Sequence, residues 1–248
     1  MTNSALIDEH LRVLRLPTIL ANYARIADGD GAKLSFLQEL VALEVDRRHE
    51  NGVRARIAAA HFPVVKTIES FDFSLQAQLP KGKLLELLDG RFVSNNINPI
   101  LVGPTGVGKT HILTAIGLAA CTAGYRVLFT TAAELCMNLI SAKREDRLKQ
   151  RLTQYERYQL LLIDELGYVP FEREATDLLY QVIAQRYERA SVAVTTNLAF
   201  TDWTQVFPDP MTASVVVDRL VHHSMIFQFT GESHRLRTRK GGRPQKGA

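Results

Sequence analysis

Short runs of apolar residues alternate with longer amphipathic stretches through most of this chain. Five runs of strand length end in small or polar residues, and they are PILVG (99–103), YRVLFTT (125–131), QLLLIDE (159–165), SVAVTTN (191–197) and MIFQFTG (225–231). Helical patterns separate these runs, at 109–124, 132–158, 172–190 and 212–223. Nearly continuous apolar strands that alternate with helices are typical of a parallel sheet covered on both faces. The pattern therefore predicts an α/β fold from about residue 66 onward.

The first 62 residues or so have apolar positions at helical spacing and no strand pattern. Ser35 followed by Gln38 resembles a capping box, which predicts that a helix begins there. Gly52 is a candidate interruption or end of that helix. An all-helical region with an arginine-rich end is the simplest interpretation.

Three domains follow from these patterns. We expect a helical domain over 1–65 and an α/β domain over 66–234. The basic segment 235–248 has little to bury and is expected to be disordered. The stretch 61–80 lacks the Gly/Ser composition of a flexible linker, so it predicts an ordered connector.

Composition adds limits to this architecture. The 248 residues are 46% hydrophobic and 23% charged, which is ordinary for a globular protein with one full core and one small satellite. No run approaches the ~20 apolar residues of a membrane span, and Asp8 and Glu9 interrupt the amino terminus before a signal peptide could form. We therefore expect a cytoplasmic protein without membrane contact. Cys121 and Cys136 lie in apolar helical stretches and are expected to be buried thiols.

Positive charge is clustered although the net charge is only +4. The clusters are DRRHENGVRAR (46–56), KREDRLKQR (143–151) and RLRTRKGGRPQK (235–246). Such clusters favour a polyanionic partner such as nucleic acid, although solvated surfaces explain any single cluster equally well. The candidate DNA contacts in the first cluster are Arg47, Arg48, Arg54 and Arg56.

The sequence GPTGVGKT (103–110) has the spacing of a phosphate-binding P-loop. It follows a predicted strand and opens a predicted helix, which is the context that the motif requires. Lys109 is expected to reach the β- and γ-phosphates, and the Thr110 hydroxyl to bind Mg²⁺. The candidate nucleotide-binding residues are Gly103, Pro104, Thr105, Gly106, Val107, Gly108, Lys109, Thr110 and His111.

Polar residues at the ends of two other strands complete a predicted hydrolytic site. Asp164 ends a buried strand and is suited to hold Mg²⁺, while the adjacent Glu165 could act as the general base for water. Asn197 follows the next strand and could orient that water. Arg219 lies on a predicted amphipathic helix, where it is either a surface ion-pair residue or an arginine finger for a neighbouring subunit.

The ordered motifs GPTGVGKTH, LLLIDELGYVPF, TTNLAFTDW, VVVDRLVHHS and GESHRLR resemble those of the IstB family of transposition helper ATPases. The amino-terminal stretches LRLPTILANY, LEVDRRHENGVRARIAAAHFP and KTIESFDF resemble the same family. This family is related to DnaC-type helicase loaders within the AAA+ class. The resemblance covers the chain up to about residue 237.

The resemblance implies an AAA+ core with strand order 5-1-4-3-2, preceded by a small helical domain. The region 66–234 is then expected to be the AAA+ ATPase domain, and 1–65 to be a helical DNA-binding or assembly domain. It implies ATP and Mg²⁺ as cofactors, assembly of a homo-oligomer through ATP-bridged interfaces on double-stranded DNA, and recruitment of a cognate transposase. By position, Asn197 resembles sensor 1, Arg219 resembles the arginine finger and Arg235 resembles the sensor 2 arginine.

Two other functions are compatible with parts of the sequence. A replicative helicase loader shares the AAA+ core, but its amino-terminal domain grips a helicase instead of DNA. A P-loop kinase needs an acceptor pocket and has no use for a base that activates water, so Glu165 argues against it. The arginines at 46–56 favour the DNA-binding helper.

Overall fold

The computed structural model describes residues 3–168, 172–207, 209–231 and 233. The chain divides into two compact units, Met1–Ala55 and Arg56–Ala248. The division falls inside the long helix Gly31–Ala59, whereas the sequence pattern predicted a domain boundary after residue 65. The predicted tail 235–248 lies outside the described residues.

The second unit contains a five-stranded sheet in which all neighbouring strands are parallel. The strand order is β2-β3-β4-β1-β5, so the predicted order 5-1-4-3-2 is confirmed. The strands are β1 (Asn98–Val102), β2 (Val127–Thr131), β3 (Leu160–Leu166), β4 (Ser191–Thr196) and β5 (Ser224–Gln228). Their carboxyl ends share one edge of the sheet, where open α/β sheets bind ligands.

Helices cover both faces of this sheet. Alternate residues of β3 point to opposite faces, so Leu160 and Leu162 join one apolar core while Leu161 and Ile163 join the other. The helices of this unit are α4 (Lys81–Glu86), α5 (Arg91–Ser94), α6 (Lys109–Thr122), α7 (Ala132–Arg144), α8 (Leu148–Glu156), α9 (Arg173–Arg186) and α10 (Pro210–Val221). Burial on both faces explains why the strands are almost entirely apolar.

The segment 132–158 forms two helices where the sequence pattern predicted one. Asp146 has φ 53°, in the left-handed region, between the end of α7 and the start of α8. A left-handed residue cannot continue an α-helix, and Asp tolerates this conformation better than most residues. The chain therefore turns between the two helices.

The first unit consists of α1 (Asn3–Val13), α2 (Pro17–Ala27) and the greater part of α3 (Gly31–Ala59). Its own small core contains Ile7, Leu11, Leu14, Tyr23 and Val41. The Tyr23 hydroxyl donates to Asp8 Oδ1 at 2.7 Å, which joins α2 to α1. The predicted small helical domain is therefore present, and it contains three helices among the residues that the structure describes.

Two details predicted for α3 were wrong. The helix begins at Gly31 because Asp30 caps it, with Asp30 Oδ1 accepting from the Ala32 amide at 2.9 Å. Ser35 is therefore inside the helix and is not its cap. The helix also continues through Gly52, since an interior glycine costs only about 1 kcal/mol relative to alanine.

Residues 61–80 form an ordered connector with two short 3₁₀ turns, Ile68–Ser70 and Phe73–Gln76. Phe62 and Phe71 pack against the core beneath α6. No helix among the described residues is both long and apolar enough to cross a lipid bilayer.

Candidate nucleotide-binding site

The loop between β1 and α6 has the backbone of a phosphate-binding loop. Gly103 has φ 150° and Gly108 has φ 100°, values that residues with a side chain rarely adopt. A Cβ on Gly103 would lie 2.3 Å from the Phe229 carbonyl oxygen, and one on Gly108 would lie 2.7 Å from Phe71 Cε2. Backbone conformation and close packing both explain why glycine is needed at these two positions.

Lys109, the first residue of α6, is buried inside this loop. Its Nζ donates to the carbonyl oxygens of Gly103 at 2.7 Å and Pro104 at 2.6 Å. Burial lowers the pKa of Lys109, and the nearby Asp164 and Glu165 partly oppose that change. The cation is thus held at the centre of the loop, where phosphate oxygens can replace the two carbonyls as acceptors.

Three polar side chains meet at the ends of β3, β4 and the start of α6. Asp164 Oδ1 accepts from the Thr110 hydroxyl at 3.2 Å and from the Thr195 hydroxyl at 2.5 Å. The Thr195 oxygen in turn accepts from the Glu165 amide at 2.9 Å. Thr195 therefore fixes the side chain of Asp164 and the backbone of Glu165 together.

The oxygens of Thr110 and Asp164 fit a magnesium ion. Mg²⁺ prefers oxygen ligands, and adjacent ligands in its octahedron are about 2.9 Å apart for bonds of about 2.0–2.1 Å. The observed separation of 3.2 Å between these two oxygens is close to that value. The donor set therefore suits the metal that the P-loop motif predicts.

Glu165 reaches the site through an irregularity in β3. The pairing of β3 with β4 shifts between Ile163 and Leu166, and Glu165 has φ 59°. A bulge in which one residue is left-handed re-aims a side chain that regular alternation would direct elsewhere. Glu165 is exposed and lines the same cavity as the loop.

A cavity of about 350 Å³ lies at this edge of the sheet. Asn197 and Glu165 line it from the strand ends, as the sequence predicted for a shared site. Its lining residues are Lys66, Ser70, Phe71, Asp72, Leu75, Gln76, the loop and helix residues from Thr105 to His111, Glu165, Tyr168, Thr195, Thr196 and Asn197.

The connector supplies one wall of the cavity, a role that the sequence reasoning missed. Gln76 donates to the Thr230 carbonyl at 2.8 Å and accepts from the Thr230 amide at 3.1 Å, which ties the connector to the chain after β5. Phe71 packs on Gly108. The one available signal was the match of KTIESFDF to the family pattern, because a phenylalanine in a connector has no chemistry that points to a nucleotide.

His111 lines the cavity, yet its ring is held by the connector. Its Nε2 is 2.9 Å from the Thr67 carbonyl oxygen and 3.1 Å from the Ser70 hydroxyl. The ring also meets Phe71 edge-on, with centroids 5.2 Å apart. These contacts describe a residue that fastens the connector to α6.

Arg219 is not among the residues that line this cavity. It lies on α10, and its guanidinium carbon is 5.0 Å from the centre of the Tyr180 ring and 5.7 Å from that of Tyr187. Such cation–π contacts hold a guanidinium without neutralising it. Arg235 lies outside the described residues.

The four arginines proposed for DNA, hereafter the α3 arginines, all lie on one helix. Three of them pair with glutamates of the same helix: Arg48 with Glu44 at 2.7 Å, and Arg47 and Arg54 with Glu50 at 3.6 and 3.7 Å. Exposed pairs of this kind contribute little to stability, so phosphate can compete for these guanidinium groups.

The fourth α3 arginine, Arg56, belongs to the second unit. Its Nε donates to the Cys121 carbonyl at 2.7 Å. It lines a cavity of about 550 Å³ beside β2, together with Arg126, Arg151 and Arg157. The second basic cluster of the sequence thus contributes Arg151 to a positively charged surface on the α/β unit.

Comparison with known proteins identifies relatives over most of the chain. The family model for IstB-like ATP-binding proteins matches residues 9–242. An ATP-binding protein of insertion sequence IS21 from Pseudomonas aeruginosa is 40% identical over 205 residues, covering 83% of this chain and 77% of that relative. An ATP-binding protein of insertion sequence IS232 from Bacillus thuringiensis subsp. berliner is 37% identical over 232 residues, covering 92% and 93%.

Solved structures share the fold at low sequence identity. DnaA from Aquifex aeolicus bound to AMPPCP has a TM-score of 0.58 and 18% identity, covering 73% of this chain and 55% of DnaA. DnaI has a TM-score of 0.55 and 20% identity, covering 68% and 90%. The DnaC helicase loader has a TM-score of 0.52 and 20% identity, covering 60% and 89%. The sheet order and these neighbours identify an AAA+ P-loop fold, as predicted.

Proposed function

Because this chain belongs to the family of IstB-like ATP-binding proteins, we propose that it is an ATPase that assists transposition. It hydrolyses ATP, assembles as a homo-oligomer on target duplex DNA, remodels that DNA and recruits a transposase. One observation carries the hydrolytic part of the proposal. A buried lysine, two oxygen ligands for Mg²⁺ and an exposed carboxylate converge at one edge of the sheet.

Each group of the site has a task in ATP hydrolysis. The loop amides and Lys109 bind the phosphates, and Thr110 and Asp164 hold Mg²⁺. When bound, Mg²⁺ neutralises charge on the β- and γ-phosphate oxygens. Glu165 accepts a proton from the attacking water, which Asn197 orients.

The position of Arg219 supports the proposed assembly. Charge that develops on the γ-phosphate needs a cation, and Arg219 is not among the residues that line the cavity of its own subunit. Arg219 is partly buried, and its guanidinium lies over two tyrosines, one on α9 and one just after it. We infer that it acts on the nucleotide of a neighbouring subunit, so that ATP joins subunits and hydrolysis loosens them.

DNA binding rests on the positive surfaces. The α3 arginines and the cavity that contains Arg126, Arg151 and Arg157 offer guanidinium groups to backbone phosphates. Phosphate contacts position a protein on a duplex without reading its sequence. The proposed binding is therefore sequence-independent and sensitive to salt.

The decisive experiment separates ATP binding from turnover. Glu165→Gln removes the base but keeps the size of the side chain, so ATP binding should survive and oligomers on duplex DNA should become long-lived. Lys109→Ala should fail to assemble, and Glu156→Gln, at an exposed position of α8, should behave as wild type. The measurement is oligomer lifetime by sedimentation, with ATP and with ADP. Equal lifetimes for wild type and Glu165→Gln would refute the control of disassembly by hydrolysis.

A helicase loader is the second candidate, favoured by the structural similarity to DnaI and the DnaC helicase loader. A loader would bind a replicative helicase, whereas a transposition helper would bind a transposase encoded beside it. Parallel pull-downs with both partners in ATP distinguish the two functions. Retention of the helicase alone would overturn the transposition proposal and leave the ATPase assignment intact.

A further inference from the structure

Two histidines and a glutamate converge on the surface of the α/β unit, away from the nucleotide cavity. His223 Nε2 is 3.5 Å from Glu188 Oε1, and His222 Nδ1 is 4.0 Å from the same oxygen. One ligand atom from each residue lies within 4.8 Å of the others. All three side chains are about half exposed, so an ion can reach them from solvent.

The backbone around this cluster is held by the first residue of β1 and by a residue just before that strand. The Asn98 amide donates to the His223 carbonyl at 2.7 Å. The Asn96 side chain donates to the Glu188 carbonyl at 2.9 Å. The two chain segments that carry the cluster are therefore fixed relative to each other before any ligand arrives, which lowers the cost of binding.

Local electrostatics favour a cation there. His222 caps the carboxyl end of α10, where the helix dipole is negative. Glu188 follows α9 with φ 58°, a left-handed conformation that Glu adopts at a cost and that directs the chain away from the helix. The cation Arg219 is close by, but its guanidinium lies over Tyr180 and Tyr187.

We propose that Glu188, His222 and His223 bind a divalent transition-metal ion of the zinc type. Two imidazoles and one carboxylate suit Zn²⁺, whereas Mg²⁺ prefers oxygen ligands alone. Ligand atoms of tetrahedral zinc are about 3.3 Å apart for bonds of about 2.0–2.1 Å. The two histidine–glutamate separations are 3.5 and 4.0 Å and all three separations are within 4.8 Å, so side-chain rotations that bring the ligand atoms closer together would form the site. Water completes the fourth position.

Tyr187 links this site to Arg219. Its hydroxyl is 2.8 Å from His222 Nδ1, and its ring stacks on the His222 ring at 5.9 Å. An ion that takes Nδ1 as a ligand displaces the tyrosine hydroxyl from that nitrogen. Tyr187→Phe should therefore bind the ion at least as tightly as wild type does.

The test is a zinc titration of the untagged full-length protein, without nucleotide, in competition with a coloured chelator. Wild type should bind one Zn²⁺ at this site, and Co²⁺ should give the visible absorption of a four-coordinate ion. His223→Ala and Glu188→Gln should each weaken Zn²⁺ binding by at least about tenfold. His49→Ala, at an exposed position of α3, should bind zinc as wild type does. The buried thiols Cys121 and Cys136 offer no competing site.

Two results would overturn the proposal. One is a wild-type protein that shows no saturable binding of a single Zn²⁺. The other is unchanged affinity in both His223→Ala and Glu188→Gln, with thermal unfolding like that of wild type. Neither result bears on ATP hydrolysis, because the titration contains no nucleotide.

Discussion

Thr195 is the residue whose loss best tests the geometry of the site. The substitution Thr195→Val keeps the shape of a side chain that is only 1% exposed, but it removes the hydroxyl. Two hydrogen bonds disappear with it, the 2.5 Å bond to Asp164 Oδ1 and the 2.9 Å bond from the Glu165 amide. Asp164 is then buried with one donor fewer, and the amide at the bulge is left unsatisfied.

The expected loss follows from these two contacts. A hydrogen bond to a charged group contributes about 1.5–3 kcal/mol, and an unsatisfied buried donor costs about 1–3 kcal/mol. Water in the adjacent cavity can replace part of the second bond, so we expect the free energy of unfolding to fall by about 2–4 kcal/mol. Misplacing Asp164 and Glu165 should also slow ATP turnover, by about a hundredfold for a shift of about 1 Å.

Urea unfolding and steady-state ATP hydrolysis measure the two effects. Thr195→Ser retains the hydroxyl and should recover most of both. Thr130→Val removes a hydroxyl from a buried position in β2, so it should lower stability without a comparable loss of turnover. If Thr195→Val unfolds within about 0.5 kcal/mol of wild type and hydrolyses ATP at the same rate, the hydroxyl does not organise the site.

Four further predictions concern other parts of the chain. Gly108→Ala should abolish ATP binding measured by calorimetry, because the added Cβ would lie 2.7 Å from the Phe71 ring and because φ 100° is unfavourable for alanine. Intact binding would refute the packing argument. Arg219→Ala should lose turnover by about 10³–10⁵-fold, and mixing it with Lys109→Ala should restore some hydrolysis at hybrid interfaces; no rescue with both variants folded would indicate a role within one subunit. Replacing the four α3 arginines by alanine should weaken duplex binding equally across DNA sequences. The slope of log binding constant against log salt concentration should become shallower by about one unit per lost contact, and unchanged affinity and slope would exclude these arginines as phosphate contacts. Burial raises the pKa of Cys121 to about 11 and of Cys136 to about 12, so above pH 9 the unfolded chain loses protons that the folded chain keeps. The free energy of unfolding should therefore fall as the pH rises, and Cys136→Ala should reduce that slope by about 1.4 kcal/mol per pH unit. An unchanged slope would contradict the burial argument.

Much of the α/β unit was predictable because its signals are local and repeated. A strand buried on both faces must be apolar along its length, and a P-loop must carry glycines where the backbone is left-handed. The order of the strands was available only through the family resemblance, since no local pattern encodes which strands pair. The strand pattern itself pointed to Asn197, to which the resemblance added only the role of sensor 1, and Asn197 lines the cavity together with Glu165.

The errors have physical causes that a single sequence does not reveal. Asp30 and Ser35 are both good caps, and only the structure shows that the Asp30 carboxylate reaches the amide at the helix start. In the sequence, Thr195 has the pattern of an ordinary β-branched strand residue. Only the structure shows that its hydroxyl contacts the buried carboxylate of Asp164. The bulge at Glu165 depends on how β3 and β4 pair, which is a property of two strands together.

The residues ahead of β1 restrict where this chain can be cut without damage to the α/β unit. The Phe129 amide of the edge strand β2 donates to the Ala60 carbonyl at 2.8 Å, and Phe71 closes over Gly108. A truncated α/β unit that begins just ahead of β1 would therefore lose the partner of its edge strand and one wall of its candidate nucleotide cavity. A gene fusion that exchanges the amino-terminal helices must therefore join the two sequences within α3, before Arg56, to keep the α/β unit whole.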